Sequence, residues 1–292
     1  MKVGFIGFGE AAYHISSGLL EDGVEQIYAF DVNVDHPSFG SIIKKRVEEL
    51  KVDLATTLED LIKHTDVVIC ATSAKFAKSI AKEAVPFLTD KQIYVDMNAT
   101  SPMVKEEIAD IIQDQCQFVD AAVVESIPNF KHKVPILVSG KGASGFIQLS
   151  KKIGMNVTVI NDQPGSASAI KMARSTFMKG FTALLLETLS ISNKYNVDEL
   201  IMESINESIT SKPLKITANN LLTRTAIHAE RRVAEMDEVI KTLDQSNVDS
   251  IMSQATKEKL MYLVHLEVNK YFDFEQPHHY AEVVDAINNL DT

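Results

Sequence analysis

The apolar positions of this chain follow two regimes. From Val3 to Ile160, short apolar runs alternate with stretches of helical spacing. Val3-Gly4-Phe5-Ile6 and Ile27-Tyr28-Ala29-Phe30 come first. Asp66 to Ala71, Gln92 to Asp96, Phe118 to Val124, Pro135 to Ser139 and Asn156 to Ile160 follow. Each has the length and composition of a buried strand. Between them, Phe76 to Val85 and Ser101 to Ile112 read as helices, the second opened by Pro102 in its first turn, where the missing N–H costs nothing. Strands separated by helices predict an α/β fold built on a Rossmann-type doubly wound parallel sheet. From Gly165 onward the strand signals stop. Ala167 to Tyr195 places Ile170, Phe177, Phe181, Leu184, Leu185 and Leu189 at i, i+3/i+4 spacing. That predicts one long helix with a buried stripe, either the spine of a second domain or part of a subunit interface. Further helical patterns run from Leu221 to Leu243 and from Thr256 to Tyr271. Asp162-Gln163-Pro164-Gly165 breaks the pattern, so residues 1–163 are expected to form the sheet domain and residues 164–292 an all-α domain.

The first strand runs directly into Gly7-Phe8-Gly9-Glu10-Ala11-Ala12, and the second ends in Asp31. Strand, glycine turn, helix, strand and acid make up the dinucleotide-binding fingerprint in its full context; an ordinary βα turn is the alternative. Gly7 permits the tight turn, Gly9 lets the backbone approach a pyrophosphate, and Ala12 lets the helix lie close to the strands. Phe8, Glu10 and Ala11 complete the turn and the helix start, whose free N–H groups face the phosphates. Asp31 is expected to accept from the adenosine ribose hydroxyls. A carboxylate there repels a 2′-phosphate, and Val32 and Asn33 supply no cation, so NAD is expected over NADP. Ligands of such sheets sit beyond the carboxyl ends of the strands, where Thr72, Ser73, Asp96, Asn98 and Asp120 fall.

Composition narrows the partners. A length of 292 residues suits two domains, and a net charge of −11 argues against nucleic acid or an anionic membrane surface. No segment reaches the ~20 apolar residues of a membrane span. The N-terminus is taken up by the first strand, so no secretory peptide is expected. Cys70 and Cys116 lack metal-ligand spacing, so no metal and reduced thiols are expected, in a cytoplasmic protein.

Taken together, these features resemble the β-hydroxyacid dehydrogenase family, in particular its branch of NAD-binding 6-phosphogluconate-dehydrogenase-like proteins. The likeness covers essentially the whole chain and rests on four local matches. Gly7 to Ala12 is the first. Asp96-Met97-Asn98-Ala99-Thr100-Ser101-Pro102 is similar to the family's Asp-x-Ser-Thr-x-x-Pro loop beside the nicotinamide. Asp120-Ala121-Ala122-Val123 is similar to the start of its Asp-Ala-Pro-Val-Ser-Gly-Gly substrate segment. Gly165 through Lys171-Met172-Ala173-Arg174-Ser175 is similar to its Gly-x-x-x-Lys-x-x-x-Asn helix. The resemblance implies Lys171 as the catalytic acid/base, Asn98 on the nicotinamide side, and a substrate segment at Val124, Glu125 and Ser126. Ser175, at i+4 from Lys171, shares its face and is expected to position the substrate hydroxyl. On pattern alone, a lysine at a helix start is ordinarily a solvated one.

The departures lie in the substrate region. Ser175 replaces the usual asparagine, Asn98-Ala99 replaces Ser-Thr, and Val124-Glu125-Ser126 replaces Ser-Gly-Gly, setting a carboxylate near a presumed anion site. Arg224, His228 and Arg231 share one helical face, either as an anion clamp or as members of internal ion pairs with the neighbouring Glu230, Glu235, Asp237 and Glu238. His278-His279 reads as exposed. The expected function is NAD-dependent hydride transfer between nicotinamide and the alcohol or carbonyl of a small, polar, acidic metabolite, by a homodimer joined through its helical domains. An imine or carbonyl reductase and a non-catalytic NAD(H) sensor are the alternatives.

Overall fold

Alternation along each strand sends successive side chains to opposite faces of a sheet. In the computed structural model, which describes residues 1–291, Val3 and Phe5 join one apolar cluster and Ile6 the other; Val67 and Ile69 divide from Val68 and Cys70 in the same way. Two buried faces need helices on both sides, the condition under which parallel sheets are found.

The sheet has eight strands: β1 (Val3–Ile6), β2 (Ile27–Phe30), β3 (Asp53–Leu54), β4 (Val67–Cys70), β5 (Ile93–Asp96), β6 (Gln117–Val123), β7 (Ile136–Ser139) and β8 (Val157–Asn161). Their order is β3-β2-β1-β4-β5-β6-β7-β8. The first six reproduce the dinucleotide-binding order, with its reversal between β1 and β4. The helices that cover it are α1 (Glu10–Glu21), α2 (Gly40–Leu50), α3 (Leu58–Lys63), α4 (Ala77–Ala84), α5 (Pro102–Ile112), α6 (Ile127–Phe130) and α7 (Ala143–Lys152). All pairings are parallel except β6 with β7. The Val124–Pro135 connection holds only α6 and a 3₁₀ turn at Lys131–Lys133, too little helix to carry the chain across the sheet for a parallel return. The two-residue β3 carries no apolar run and escapes sequence reading.

By internal contacts the chain divides into two units, Met1–Thr176 and a second beginning at Phe177. The division falls after the Asp162–Gly165 breaker because the first turns of α8 (Ser166–Lys194) are tied to the sheet by Asp120 and Ser139.

The second unit continues α8 and adds α9 (Asp198–Thr210), α10 (Leu214–Gln245), α11 (Ile251–His265), α12 (Val268–Tyr271) and α13 (Tyr280–Leu290). Its core is small: Ala226 and Ala229 of α10 pack with Leu263, Val268 and Val283. α10 kinks at His228, whose backbone is at φ −112°, ψ 22°. Buried Glu187 accepts from Met252 N and Ser253 N at 2.7 and 2.9 Å, capping the start of α11. His279, exposed as expected, makes a capping box with Glu282 at the head of α13. The long helix appears where the spacing placed it, but its stripe is not buried: Ile170, Phe177 and Leu184 are 40, 56 and 42% exposed. No helix among the described residues is long and apolar enough to cross a membrane.

Candidate functional site

At the end of β1 the backbone turns through Gly7, at φ +86°, and the Gly7 amide donates to Phe30 O at 2.8 Å. A Cβ there would stand 2.7 Å from Ala71 O, so the turn requires glycine. Gly9 precedes α1, and a Cβ on it would meet no protein atom within 4 Å. Asp31, only 9% exposed, braces the turn from the end of β2. Its Oδ2 accepts from Phe8 N and its Oδ1 from Asn33 N, both at 2.8 Å. A carboxylate oxygen accepts more than one bond, so these contacts orient the group without exhausting it.

Around this turn, at the carboxyl ends of β1, β2 and β4, lies a cleft of about 570 Å³. Gly7, Gly9, Asp31, Thr72 and Ser73 supply its polar side, while Leu58, Phe76 and Ile80 supply apolar walls. Its charged lining side chains are Glu10, Asp31 and Glu83, and among the described residues no lysine or arginine lines it.

The polar residues at the end of β5 and within β6 serve a different purpose, and Asp120, expected at a strand end, lies in the middle of β6 because its antiparallel pairing with β7 carries the strand on to Val123. Asn98, expected beside the nicotinamide, is buried and lines neither cleft. Its Oδ1 accepts from Thr72 N at 2.7 Å, and its Nδ2 donates to Asp96 and to Cys70 Sγ. It therefore locks the β4 and β5 loops together. Burial pushes the Cys70 thiol up to about 11. Lys105 of α5 is fully buried, donating to Asp96 O at 2.7 Å and standing 3.1 Å from Asp96 Oδ2 and 3.4 Å from Asp120 Oδ1. Asp120 accepts from Ser168 N at 3.0 Å, from Ser168 Oγ at 2.7 Å and from Ser139 Oγ at 3.2 Å. These bonds fix the first turn of α8, one turn ahead of Lys171.

A second cleft, of about 390 Å³, opens there. It gathers Lys171 and Ser175 from α8, Val124, Glu125 and Ser126 from the segment after β6, and Glu10 and Ala11 from the start of α1. Lys171 is half-buried. Arg174, not singled out from sequence, also lines the cleft: its Nη1 donates to Val124 O and its Nη2 to Glu125 Oε1, each at 2.9 Å. The Glu125 charge that looked anomalous thus has its counter-ion one helical turn from Lys171. The i+3 offset from Lys171 was the available signal for Arg174. Both clefts belong to the first unit. Arg224 and His228 lie exposed on α10 of the second unit, where the neighbouring Arg231 pairs with Glu235 at 3.3 Å.

Comparison with known proteins gives the same picture. Residues 2–100 match a family model described as NADP oxidoreductase, coenzyme F420-dependent, and residues 193–263 match a domain of unknown function, DUF1932. An uncharacterized 28.5 kDa protein of Methanothermus fervidus is 32% identical over 263 residues, spanning 90% of this chain and 99% of its own length. A conserved protein of unknown function, whose structure reveals similarity with 3-hydroxyacid dehydrogenases, is 32% identical with a TM-score of 0.62, covering 92% of this chain and 99% of that one. In fold alone, the chain is similar to an imine reductase from Aspergillus terreus solved with NADPH4 and dibenz[c,e]azepine, at 13% identity, a TM-score of 0.74 and coverage of 97 and 98%. With its glycine turn, strand order and helical second unit, the chain belongs to the β-hydroxyacid dehydrogenase family of oxidoreductases, in the 6-phosphogluconate-dehydrogenase-like branch.

Proposed function

We propose that the protein is an NAD(H)-dependent oxidoreductase acting on an alcohol or carbonyl of a small polar metabolite, with Lys171 as general acid/base. The observation that carries this reading is the junction of the two clefts. Glu10 and Ala11 line both, so a dinucleotide with its ribose at Asp31 and its pyrophosphate at Gly7 and Gly9 points its far end toward Lys171. The residues fit such a group: Gly9 leaves the head of α1 open, Asp31 presents a braced acceptor, and Leu58, Phe76 and Ile80 offer apolar walls to an adenine.

The nicotinamide, when bound, takes up or returns hydride. Lys171 Nζ takes the hydroxyl proton during oxidation and returns it to the carbonyl oxygen in the reverse direction. Ser175 Oγ and Ser126 Oγ orient the reacting oxygen, and the Arg174 bond to Val124 O holds the substrate segment in place. The matching family model is NADP-linked. The acidic lining of the first cleft, which carries no cation for a 2′-phosphate, instead supports NAD.

Thermal melts with NADH and NADPH in parallel, followed by the Lys171→Ala variant, test this reading. A ligand at a hundredfold its Kd adds about 2.7 kcal/mol of stability, and the larger shift is expected with NADH. Lys171→Ala should lose turnover while keeping NADH affinity. Full activity in that variant overturns the assignment of Lys171, and a larger shift with NADPH overturns the choice of NAD.

A further inference from the structure

The charges of the Lys171 cleft limit what it can hold. Four charged side chains line it, Glu10 and Glu125 against Lys171 and Arg174. To act as a base Lys171 must be uncharged, and two carboxylates then face one guanidinium. A phosphorylated substrate would bring two more negative charges to this lining, on a chain already at −11. A plain carboxylate beside Arg174 would also lie against Glu125, with nothing on the substrate to offset that repulsion.

Glu125 has a position suited to a second task. Its side chain is 46% exposed and it lines the cleft, while Arg174 engages it through Oε1. The carboxylate is therefore held in place yet reachable. A cation on the substrate beside Glu125 would relieve the charge that a substrate anion beside Arg174 adds. Ser126 and Ser175 hydroxyls complete a lining that can donate to or accept from either end.

Resting on the proposed function, we infer that the substrate is a small zwitterion, a hydroxy acid that also carries an ammonium group, and that Glu125 recognises the ammonium while Arg174 receives the carboxylate. In the oxidation the C–H bond gives its hydride to the nicotinamide, the O–H proton passes to Lys171 Nζ, and the product is the corresponding carbonyl amino acid. Glu125 and Arg174 take no part in the bond changes; they set specificity.

Serine and 3-hydroxypropionate form a matched pair that differs only in the ammonium group. Calorimetric titration of each into the full-length protein loaded with NADH measures the discrimination without requiring turnover. The wild type is expected to bind serine about tenfold or more tighter. Glu125→Gln, which keeps the acceptor for Arg174 and drops the charge, should bring that ratio close to one with an unchanged melting temperature. A ratio that survives Glu125→Gln, a wild-type preference for 3-hydroxypropionate, or binding of neither compound overturns the inference. NADH binding, recorded in the same protein beforehand, separates these results from failure of the cofactor reading: if NADH binds and the ratio is wrong, only the zwitterion assignment falls.

Discussion

At Gly7 the backbone holds φ +86°, and a Cβ would stand 2.6 Å from Thr72 Cγ2 and 2.7 Å from Ala71 O. Two residues on, a Cβ at Gly9 would touch no protein atom within 4 Å. The first glycine is therefore required by the fold and the second only by what approaches the head of α1. Gly7→Ala should destabilise the protein by about 1–3 kcal/mol through the left-handed backbone alone. Gly9→Ala should cost no more than about 1 kcal/mol, the loss expected of a weaker helix cap, yet weaken NADH binding by about tenfold or more. Urea melts and NADH titration of the two variants make the comparison, and undiminished NADH binding by Gly9→Ala would mean that the pyrophosphate lies elsewhere. The sequence pattern identified both glycines together, because the fingerprint specifies residue types. Only the φ angle and the surrounding atoms separate their duties. Asp31 is similar: its spacing revealed the acid, while its bonds to Phe8 N and Asn33 N, which brace it, come from the folded turn.

In the proposed mechanism the element that matters most is α8, since it carries Lys171, Arg174 and Ser175 on its first turns. Its start is held by two bonds from Ser168 to Asp120 and one from Ala167 N to Ser139 Oγ, which itself donates to Asp120, and Asp120 in turn stands beside fully buried Lys105, shared with Asp96. A buried charge left without its partner is costly, so Asp120→Ala should lose about 3–5 kcal/mol. Asp120→Asn, which keeps an acceptor of the same shape, should lose less. Chemical denaturation distinguishes them, and a loss below about 1 kcal/mol in Asp120→Ala, no more than a single ordinary hydrogen bond, would show that α8 is held by other means. Sequence reading placed Asp96 correctly at the end of β5, but it also put Asp120 at a strand end, whereas Asp120 lies in the middle of β6, and it took both as ligand positions. Here the end of β5 and the middle of β6 instead grip a helix. Lys105 was invisible because a lysine at a helical position is ordinarily solvated, and only the register of β5 and β6, which sets Asp96 opposite Asp120, makes a buried cation necessary. The reversed pairing of β7 had the same kind of cause, a connection whose helical content could be judged only once α6 was seen to stop at Phe130.

On the scale of the whole molecule, the second unit carries more apolar surface than its own core uses. α9 has no buried residue, and Leu186, Leu200 and Ile251 are 66, 67 and 69% exposed. We expect another protein to cover large apolar side chains left in water in such numbers. The occupant we expect is a second copy of this chain, because an apolar helical face can be complementary to itself about a twofold axis. Periodicity along α8 gave an apolar stripe through Ile170, Phe177 and Leu184, which the single chain leaves 40–56% exposed, and it did not include Leu186. It could not report what covers that face, since burial by another subunit leaves the same spacing in the sequence as burial within the chain. A homodimer joined through the helical units is therefore expected, with light scattering at micromolar concentration giving twice the 32.3 kDa chain mass. Replacing Leu186 and Leu200 together by glutamate should shift the population to monomer without unfolding the sheet unit, because both residues are already exposed in the single chain. A wild-type mass of one chain at that concentration would contradict the dimer and leave the exposed faces of α8 and α9 to a different protein.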